Sequence, residues 1–201
     1  QTANIPSMQE SMKNGEVTTA FKSTTIADGI AVKTPGDVTF EIINELVDEV
    51  VVVEEDEIAQ GMLFLMENQK VVAEGAGAVT TAALLSGKYV PKKDENVVCV
   101  ISGGNVDVNT LYRVIGTALT KEARRYSFNT VIQDKPGGLA ELTKIISEYD
   151  ANILSANLSR SSMGGALGSL TAEMVLETFN HNHIDKLKVA ITEAGFEIVE
   201  I

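Results

Sequence analysis

The stretch SFNTVIQDKPGGL, residues 127–139, contains a strand, a turn and the start of a helix. Apolar and polar side chains alternate along residues 127–133, which is typical of a strand with one buried face. The segment Asp134-Lys135-Pro136-Gly137-Gly138 has the residue types that favour a tight turn. Apolar residues then recur at helical spacing as far as Tyr149, so the stretch predicts a β-α unit.

The residues after this stretch extend the pattern to six elements. Residues 152–160 and 169–179 predict two further strands, separated by a Gly/Ser loop at residues 161–168. Ile184 to Ala194 predicts a second helix, and Phe196 to Ile201 a last strand. The order β-α-β-β-α-β is the ferredoxin-like, or split βαβ, arrangement of an α+β domain. We place this domain at residues 125–201, because the pattern changes near residue 124.

The preceding segment is residues 1–124, and from Val47 to Leu119 it alternates short apolar runs with helical ones, as in an α/β domain. Three short apolar runs predict buried strands, at Val50–Val53, Val71–Ala73 and Val97–Ile101. Helices are predicted after the acidic run Glu54-Glu55-Asp56-Glu57, through Leu85 to a stop at Gly87, and from Asn109 to Lys121 with Asn105 or Asp107 as cap. Such strand-helix alternation predicts a doubly wound sheet.

Composition excludes some classes of partner. A net charge of −12, with no basic run beyond Arg124-Arg125, argues against nucleic acid. No apolar run has the length of a membrane span, and the start lacks a signal-peptide pattern. Cys99 is the single cysteine, which excludes an intrachain disulfide and favours a buried thiol in a reducing compartment, so a cytoplasmic protein is expected.

The turn Ser102-Gly103-Gly104-Asn105 follows a predicted strand and precedes a predicted helix. It is either a turn that needs glycine dihedrals or a seat for a ligand, because ligands of open α/β sheets bind outside the carboxyl ends of the strands. The residues by themselves leave both interpretations open.

The second domain resembles an ACT domain, the small-molecule sensing module of amino-acid metabolism. The resemblance rests on the turn between the first strand and helix and on the start of the second strand. It implies an amino-acid effector of the isoleucine or valine class, bound by Asp134, Pro136, Gly137, Gly138, Leu139, Asn152 and Ile153, and a homo-oligomer, dimer or tetramer. The glycines would let backbone N–H groups at the helix N-terminus approach a ligand carboxylate. The same residues could form only a tight β-α turn.

Four motifs of the first segment occur in the order and spacing of a known enzyme family. They are Ile26-Ala27-Asp28-Gly29, Val53-Glu54-Glu55-Asp56-Glu57-Ile58, Ala73-Glu74-Gly75-Ala76-Gly77-Ala78 and Ser102-Gly103-Gly104-Asn105-Val106-Asp107. From Gln1 to Arg125 the chain resembles the C-terminal half of the catalytic domain of threonine dehydratases and serine racemases. These enzymes use pyridoxal phosphate on a tryptophan-synthase-β-like fold (fold type II). With an ACT unit behind it, the match narrows to threonine dehydratases, which convert L-threonine to 2-oxobutanoate and ammonia and also take L-serine.

The resemblance implies a cofactor pocket lined by Ser102, Gly103, Gly29 and Glu74. Ser102 would hydrogen-bond the pyridine nitrogen, the glycines would make room for the ring, and Gly29 and Glu74 would lie on opposite sides of it. A neutral hydroxyl leaves the ring nitrogen largely unprotonated, which limits carbanion character and favours loss of the β-hydroxyl. Glu74 could instead be an acid at a helix N-terminus.

The family's Ser-Phe-Lys-x-Arg-Gly motif, whose lysine binds the cofactor, is absent. Lys22 is the nearest match and is expected to be a surface lysine, and Gly164-Gly165 with Gly168 reads as a hairpin connection instead of a phosphate loop. No catalytic residue is therefore assigned to this chain, which we expect to be inactive alone and not to retain the cofactor. We also expect an incomplete sheet that leaves Val50–Val53 open to solvent or to a partner chain.

No metal site is predicted. Gln1 and Ser7 stand where some relatives bind a cation through acidic residues, and His181 and His183 are expected in a cap or a solvated turn. The chain begins with Gln1 and not with Met, so we expect a piece of a longer protein, although removal of a tag would give the same start. Two alternative functions remain, a free-standing regulatory protein that binds amino acids and a serine racemase or serine dehydratase.

Overall fold

The computed structural model describes residues 1–21, 24–160 and 168–200. The chain divides into two compact units, Gln1–Ala118 and Leu119–Ile201, which we call the first and second unit. Lys22, Gly164 and Gly165 lie outside the described residues.

The second unit has the six elements predicted from the sequence. They are β1 (Arg125–Gln133), α6 (Gly138–Glu148), β2 (Asn152–Ser159), β3 (Ser169–Glu177), α7 (His181–Glu193) and β4 (Val199–Glu200). The sheet order is β2-β3-β1-β4 with antiparallel pairing throughout, so the ferredoxin-like prediction is confirmed.

The core of the second unit lies between one face of this sheet and its two helices. Every second residue of β1 is buried, and β3 alternates in the same way. The buried side chains at the centre include Phe128, Ile132, Leu142, Ile146, Met174, Leu176, Leu187 and Ile191. Helix α7 begins at His181, earlier than predicted, because the side chain of Asn180 accepts the N–H of His183 and caps the helix.

The first unit consists mainly of helices. They are α1 (Ser7–Asn14), α2 (Asp37–Leu46), α3 (Glu55–Phe64), α4 (Gly75–Leu85) and α5 (Val108–Lys121), with a 3-10 turn at Asp28–Ile30 and a π turn at Leu65–Gln69. The predicted helices α3, α4 and α5 are confirmed, whereas α1 and α2 were not predicted. Helix α2 has an exposed apolar stripe formed by Val38, Ile42 and Leu46, which lie at helical spacing. Among the described residues, none covers this stripe.

The prediction of regular strands in the first unit is wrong. Val53 forms an isolated parallel bridge with Thr2, while residues 71–73 and 97–101 have no ladder partner among the described residues. Val98 and Val100 are 85% and 66% exposed. A parallel strand requires neighbours brought from distant parts of a chain, so a β-branched run alone does not make a ladder.

The expectation that Val50–Val53 lies open is also wrong for its last residue. Val53 is 1% exposed, because its N–H and carbonyl pair with Gln1 O and Ala3 N at 2.9 and 2.8 Å. The exposed apolar side chains lie instead in the runs near Val71 and Val98.

Two further expectations concern the burial of Cys99 and the presence of a membrane-spanning segment. Cys99 is half-buried, not fully buried, and unpaired. Among the helices of the described ranges, none combines the length and the apolar character needed to cross a membrane.

Candidate functional site

A cavity of about 780 Å³ opens in the first unit, within the range of small-molecule sites. Its walls are residues 24–28, the N-termini of α3 and α4, and the segment from Asn105 into α5. Five carboxylates line it together with the guanidinium of Arg113, and the carboxylates are Asp28, Glu55, Asp56, Glu74 and Asp107. The charged side chains that line the cavity are therefore mainly acidic.

Glu74 joins α4 to the segment around Gly103. Its N–H donates to Gly103 O at 3.1 Å, and its Oε2 accepts the N–H of Asn105 at 3.1 Å. A Cβ atom on Gly103 would lie 2.5 Å from Glu74 Oε1. The Glu74 carboxylate thus occupies the space beside Gly103 and would have to move if this position carried a side chain.

The start of α4 also requires glycines, because the backbone of two other segments lies close to it. A Cβ atom on Gly75 would lie 2.2 Å from Ile26 O, and one on Gly77 would lie 2.6 Å from Gly103 O. These contacts hold the segments around Ile26 and Gly103 against the first turn of α4.

Gly29 lies beside Glu74. A Cβ atom on Gly29 would be 3.6 Å from Glu74 Oε1 and 3.1 Å from Ala76 Cβ. Gly29 and Glu74 therefore lie side by side at one edge of the site. Their placement on opposite sides of a cofactor ring stays a prediction.

Ser102 is exposed and precedes Gly103, but it does not line the cavity. Within the described residues its hydroxyl has no hydrogen-bond partner, so it can donate to a ligand. The structure thus brings Gly29, Glu74 and Gly103 together, with Ser102 adjacent in sequence. A free hydroxyl donor next to this glycine-lined edge fits the pyridine nitrogen of pyridoxal phosphate.

Asp107, one of the two predicted caps, begins α5. Its Oδ1 accepts the N–H of Thr110 at 3.0 Å. Hydrogen bonds from the Thr110 side chain and backbone lower the pKa of the Asp107 carboxyl, so the cap is ionised at neutral pH. Asn105, the other predicted cap, lies three residues before the start of α5, and its backbone N–H donates to Glu74 Oε2.

Glu55 was taken from the sequence only as a helix N-terminal acid, and its role in the site was missed. Its carboxylate accepts hydrogen bonds from the hydroxyls of Thr2 and Thr25 at 2.7 and 2.6 Å, and from the N–H of Ile26 at 2.7 Å. The sequence contains acids at four consecutive positions, and nothing in their pattern shows which one turns toward the loop.

The positions considered for a metal are engaged in other contacts. Gln1 Oε1 accepts the N–H of Gln9, and the hydroxyl of Ser7 donates to Val32 O. His183 Nδ1 accepts the N–H of Phe179, and its Nε2 lies 2.6 Å from Tyr149 O, so it links the two helices instead of standing in a solvated turn. Among the described residues no group of three or more His, Cys, Asp or Glu side chains is placed to hold a metal ion.

The turn between β1 and α6 is held by an ion pair. Arg160 Nε donates to Asp134 Oδ2 at 2.8 Å, and its Nη2 donates to Oδ1 at 3.2 Å. The hydrogen bond from Arg160, more than its charge, lowers the pKa of Asp134. Gly137 has a φ of +90°, and a Cβ on Gly138 would lie 2.2 Å from Gln133 O, so both glycines are needed for this turn.

The other predicted effector residues have structural contacts in the second unit. The side chains of Leu139 and Ile153 pack against the core, and Asn152 Nδ2 donates to Glu177 Oε2 at 3.2 Å. Pro136 is exposed. At this turn the backbone groups and Pro136 are exposed, whereas the Leu139 and Ile153 side chains are partly buried, and their part in binding an effector stays a prediction.

Residues 1–103 match the model of a family described as "Pyridoxal-phosphate dependent enzyme". An L-threonine ammonia-lyase of Thermotoga maritima is 44% identical over 198 residues, which is 98% of this chain and 49% of the relative. The chain thus spans about half the length of the curated relatives that it matches across both units.

Two solved structures share the fold. The processed form of threonine deaminase isoform 2 from Solanum lycopersicum has a TM-score of 0.52 and 30% identity, covering 58% of this chain and 34% of that one. Maize serine racemase has the same TM-score and identity, covering 61% of this chain and 38% of that one. The predicted fold class is therefore confirmed.

Proposed function

We propose, since the chain belongs to the family of pyridoxal-phosphate-dependent enzymes, that it is the C-terminal portion of a threonine ammonia-lyase. The net reaction converts L-threonine to 2-oxobutanoate and ammonia. The observation that carries this proposal is the similarity to an L-threonine ammonia-lyase over both units and 98% of the chain.

Four residues of the first unit would border the cofactor. The free hydroxyl of Ser102 would donate to the pyridine nitrogen, and Gly103, Glu74 and Gly29 would form the adjacent edge. When bound, pyridoxal phosphate supplies an electron sink for the α-carbon of the amino acid. The Ser102 hydroxyl would hydrogen-bond this nitrogen without giving it a full charge, which would favour departure of the β-hydroxyl.

The second unit would be the regulatory domain, which we take to be residues 125–201. An amino acid of the isoleucine or valine class would place its carboxylate on the backbone N–H groups at the start of α6. Arg160 supports this arrangement, because its ion pair with Asp134 holds the turn that leads into the helix. We propose that the protein is a homo-oligomer, either a dimer or a tetramer. We also propose that it is cytoplasmic, and the unpaired Cys99 supports this location.

Serine racemisation is the second candidate function. It is favoured by the likeness to maize serine racemase, which equals in TM-score and identity the likeness to the tomato threonine deaminase. The two functions share the same residues and differ in the fate of the substrate after loss of the α-proton.

Product analysis separates the two functions. The full-length product of the gene that encodes this chain is incubated with pyridoxal phosphate and L-serine, and pyruvate and D-serine are measured. A lyase gives pyruvate with little D-serine, whereas D-serine as the main product would overturn the lyase proposal. Ser102→Ala is expected to lower turnover roughly tenfold or more. Ser86→Ala, in the same unit but away from the cavity, should leave turnover unchanged.

A further inference from the structure

We propose that Glu55 is a positioning residue, whose carboxylate fixes one wall of the cavity by setting the direction of two threonine hydroxyls. The inference rests on the proposed function only in that this wall borders Gly29, Glu74 and Gly103, the residues proposed to form an edge of the cofactor site. Glu55 is the first residue of α3, and its three acceptor contacts come from neutral groups of two other segments.

The direction of the hydrogen bonds between Thr2, Thr25 and Glu55 follows from the number of hydroxyl protons. Thr2 and Thr25 each have one hydroxyl proton, and both donate to Glu55 Oε1. The Thr25 hydroxyl lies 3.2 Å from the Thr2 hydroxyl but only 2.6 Å from the carboxylate, so the stronger charge-assisted bond takes its proton.

Each hydroxyl oxygen is then left as an acceptor for the backbone. Thr2 Oγ1 accepts the N–H of Asn4 at 3.3 Å, and Thr25 Oγ1 accepts the N–H of Ala27 at 3.0 Å. Glu55 Oε2 accepts the N–H of Ile26 directly at 2.7 Å. One carboxylate thus satisfies three backbone donors, two of them through the threonines.

The ordered backbone continues into the candidate cofactor edge. Ile26 O lies against the start of α4, where a Cβ on Gly75 would be 2.2 Å away. Ala27 is fully buried, and Gly29 two residues later lies beside Glu74. Displacement of residues 26 and 27 would therefore move Gly29 relative to Glu74.

The first test is amide hydrogen exchange on the full-length gene product. Glu55→Gln keeps the shape but replaces one acceptor oxygen with an NH₂ donor, so either Ile26 N–H or the hydroxyls lose their acceptor. We expect exchange at Ile26 and Ala27 to become roughly tenfold faster or more. Glu57→Gln is the matched control, since Glu57 lies on the same helix and accepts the N–H of Glu54. Equal exchange at Ile26 and Ala27 in both variants would overturn the proposal.

Thr25 variants distinguish the direct bond from Ile26 N–H to Glu55 from the indirect contact, in which the Thr25 hydroxyl accepts the N–H of Ala27. Thr25→Val removes the acceptor of Ala27 N–H and leaves the direct bond from Ile26 to Glu55. We expect faster exchange at Ala27 with Ile26 nearly unchanged, and recovery of protection in Thr25→Ser. This pair also decides the proposal if Glu55→Gln fails to fold, because protection of Ala27 that survives in Thr25→Val contradicts it.

The third readout is spectroscopic and kinetic. In the cofactor-bound gene product, Glu55→Gln is expected to alter the visible circular dichroism of bound pyridoxal phosphate and to lower kcat more than it changes KM for L-threonine. An unchanged dichroism band and an unchanged kcat would show a merely structural role. If the wild-type protein binds no cofactor and does not convert threonine, the proposed function fails while the exchange experiments still decide the role of Glu55.

Discussion

At the scale of single residues, the site depends on places where no side chain fits. Gly75 marks the closest approach, between the start of α4 and the carbonyl of Ile26. The contact is backbone against backbone, so neither partner can move aside as a flexible side chain would.

Gly75→Ala is expected to destabilise the chain by about 2 kcal/mol or more, although alanine is otherwise the better helix former. Gly36→Ala is the matched control, because a Cβ there would meet only the Thr39 hydroxyl, at 3.3 Å. Its cost is expected to be at most about 1 kcal/mol, through a weaker N-cap. Urea unfolding of the two variants measures the difference, and equal midpoints would show that the close approach at Gly75 is absent.

Tyr126 in β1 has a buried hydroxyl without a hydrogen-bond partner in the described part of the chain. Its ring stacks on Phe128 at 5.3 Å, and Lys188 Nζ lies 5.2 Å from its centroid. Burial, and secondarily the charge of Glu200, raises the pKa of Tyr126 to about 12. A raised folded-state pKa contributes stability that is present below pH 10 and is lost as the pH rises toward 12.

Tyr126→Phe keeps the ring contacts and removes the titrating hydroxyl. At neutral pH we expect stability equal to the wild type or higher by about 1 kcal/mol, since an unsatisfied polar atom is removed. The difference in favour of the variant should grow between pH 10 and 12, as followed by urea unfolding. Tyr112→Phe, at an exposed position of α5, should give a profile parallel to the wild type. A Tyr126→Phe profile that is parallel as well would refute the assignment.

The sequence predicted part of the site and missed part of it for identifiable reasons. Gly29, Glu74 and Gly103 carry motif signals, and the structure brings them together. The contact between Gly103 and the Glu74 carboxylate was not predicted, because only the fold brings these two residues together. Glu55 was missed because hydrogen bonds to Thr2 and Thr25 link residues 53 and 30 positions apart.

At the scale of elements, helices were predictable and the strands of the first unit were not. The acidic start of α3 and the Asp107 cap of α5 are local signals that the structure bears out. A strand depends on a partner that local sequence does not specify, and the runs near Val71 and Val98 have none among the described residues. In the second unit each strand finds its partner within the same 75 or so residues, so the β-α-β-β-α-β prediction is confirmed.

The cap of α7 gives a test at this scale. Asn180→Ala removes the side-chain acceptor of His183 N–H, and we expect a loss of about 1 kcal/mol. Asn182→Ala changes the same residue type at an exposed position of the first turn and should cost less than about 0.5 kcal/mol. Chemical denaturation compares the two, and a similar loss in both would mean that Asn180 is not the cap.

The ion pair at the turn before α6 predicts a pH dependence. Because Arg160 lowers the folded-state pKa of Asp134, the pair contributes stability above the unfolded value, and this stability is lost as the pH falls through the folded value. Arg160→Gln should therefore raise the pKa of Asp134, as measured by NMR titration of its carboxyl, and move acid unfolding to higher pH. Lys144→Gln removes a surface pair with Glu148 and should leave the Asp134 titration in place. No movement in Arg160→Gln would exclude the pair in solution.

At the scale of the whole molecule, two units of different architecture share one chain. The first holds the glycine-lined edge with Ser102, and the second is a ferredoxin-like domain whose β1–α6 turn is fixed by an ion pair. Similarity to an L-threonine ammonia-lyase extends across both units. This continuity supports our proposal that one enzyme combines a cofactor site with an amino-acid sensor.

The most direct measurement is the formation of 2-oxobutanoate from L-threonine by the full-length product of the gene. We expect steady production that requires pyridoxal phosphate and that falls roughly tenfold or more in Ser102→Ala. A folded, cofactor-supplied wild-type protein that releases no 2-oxobutanoate from L-threonine would contradict the account.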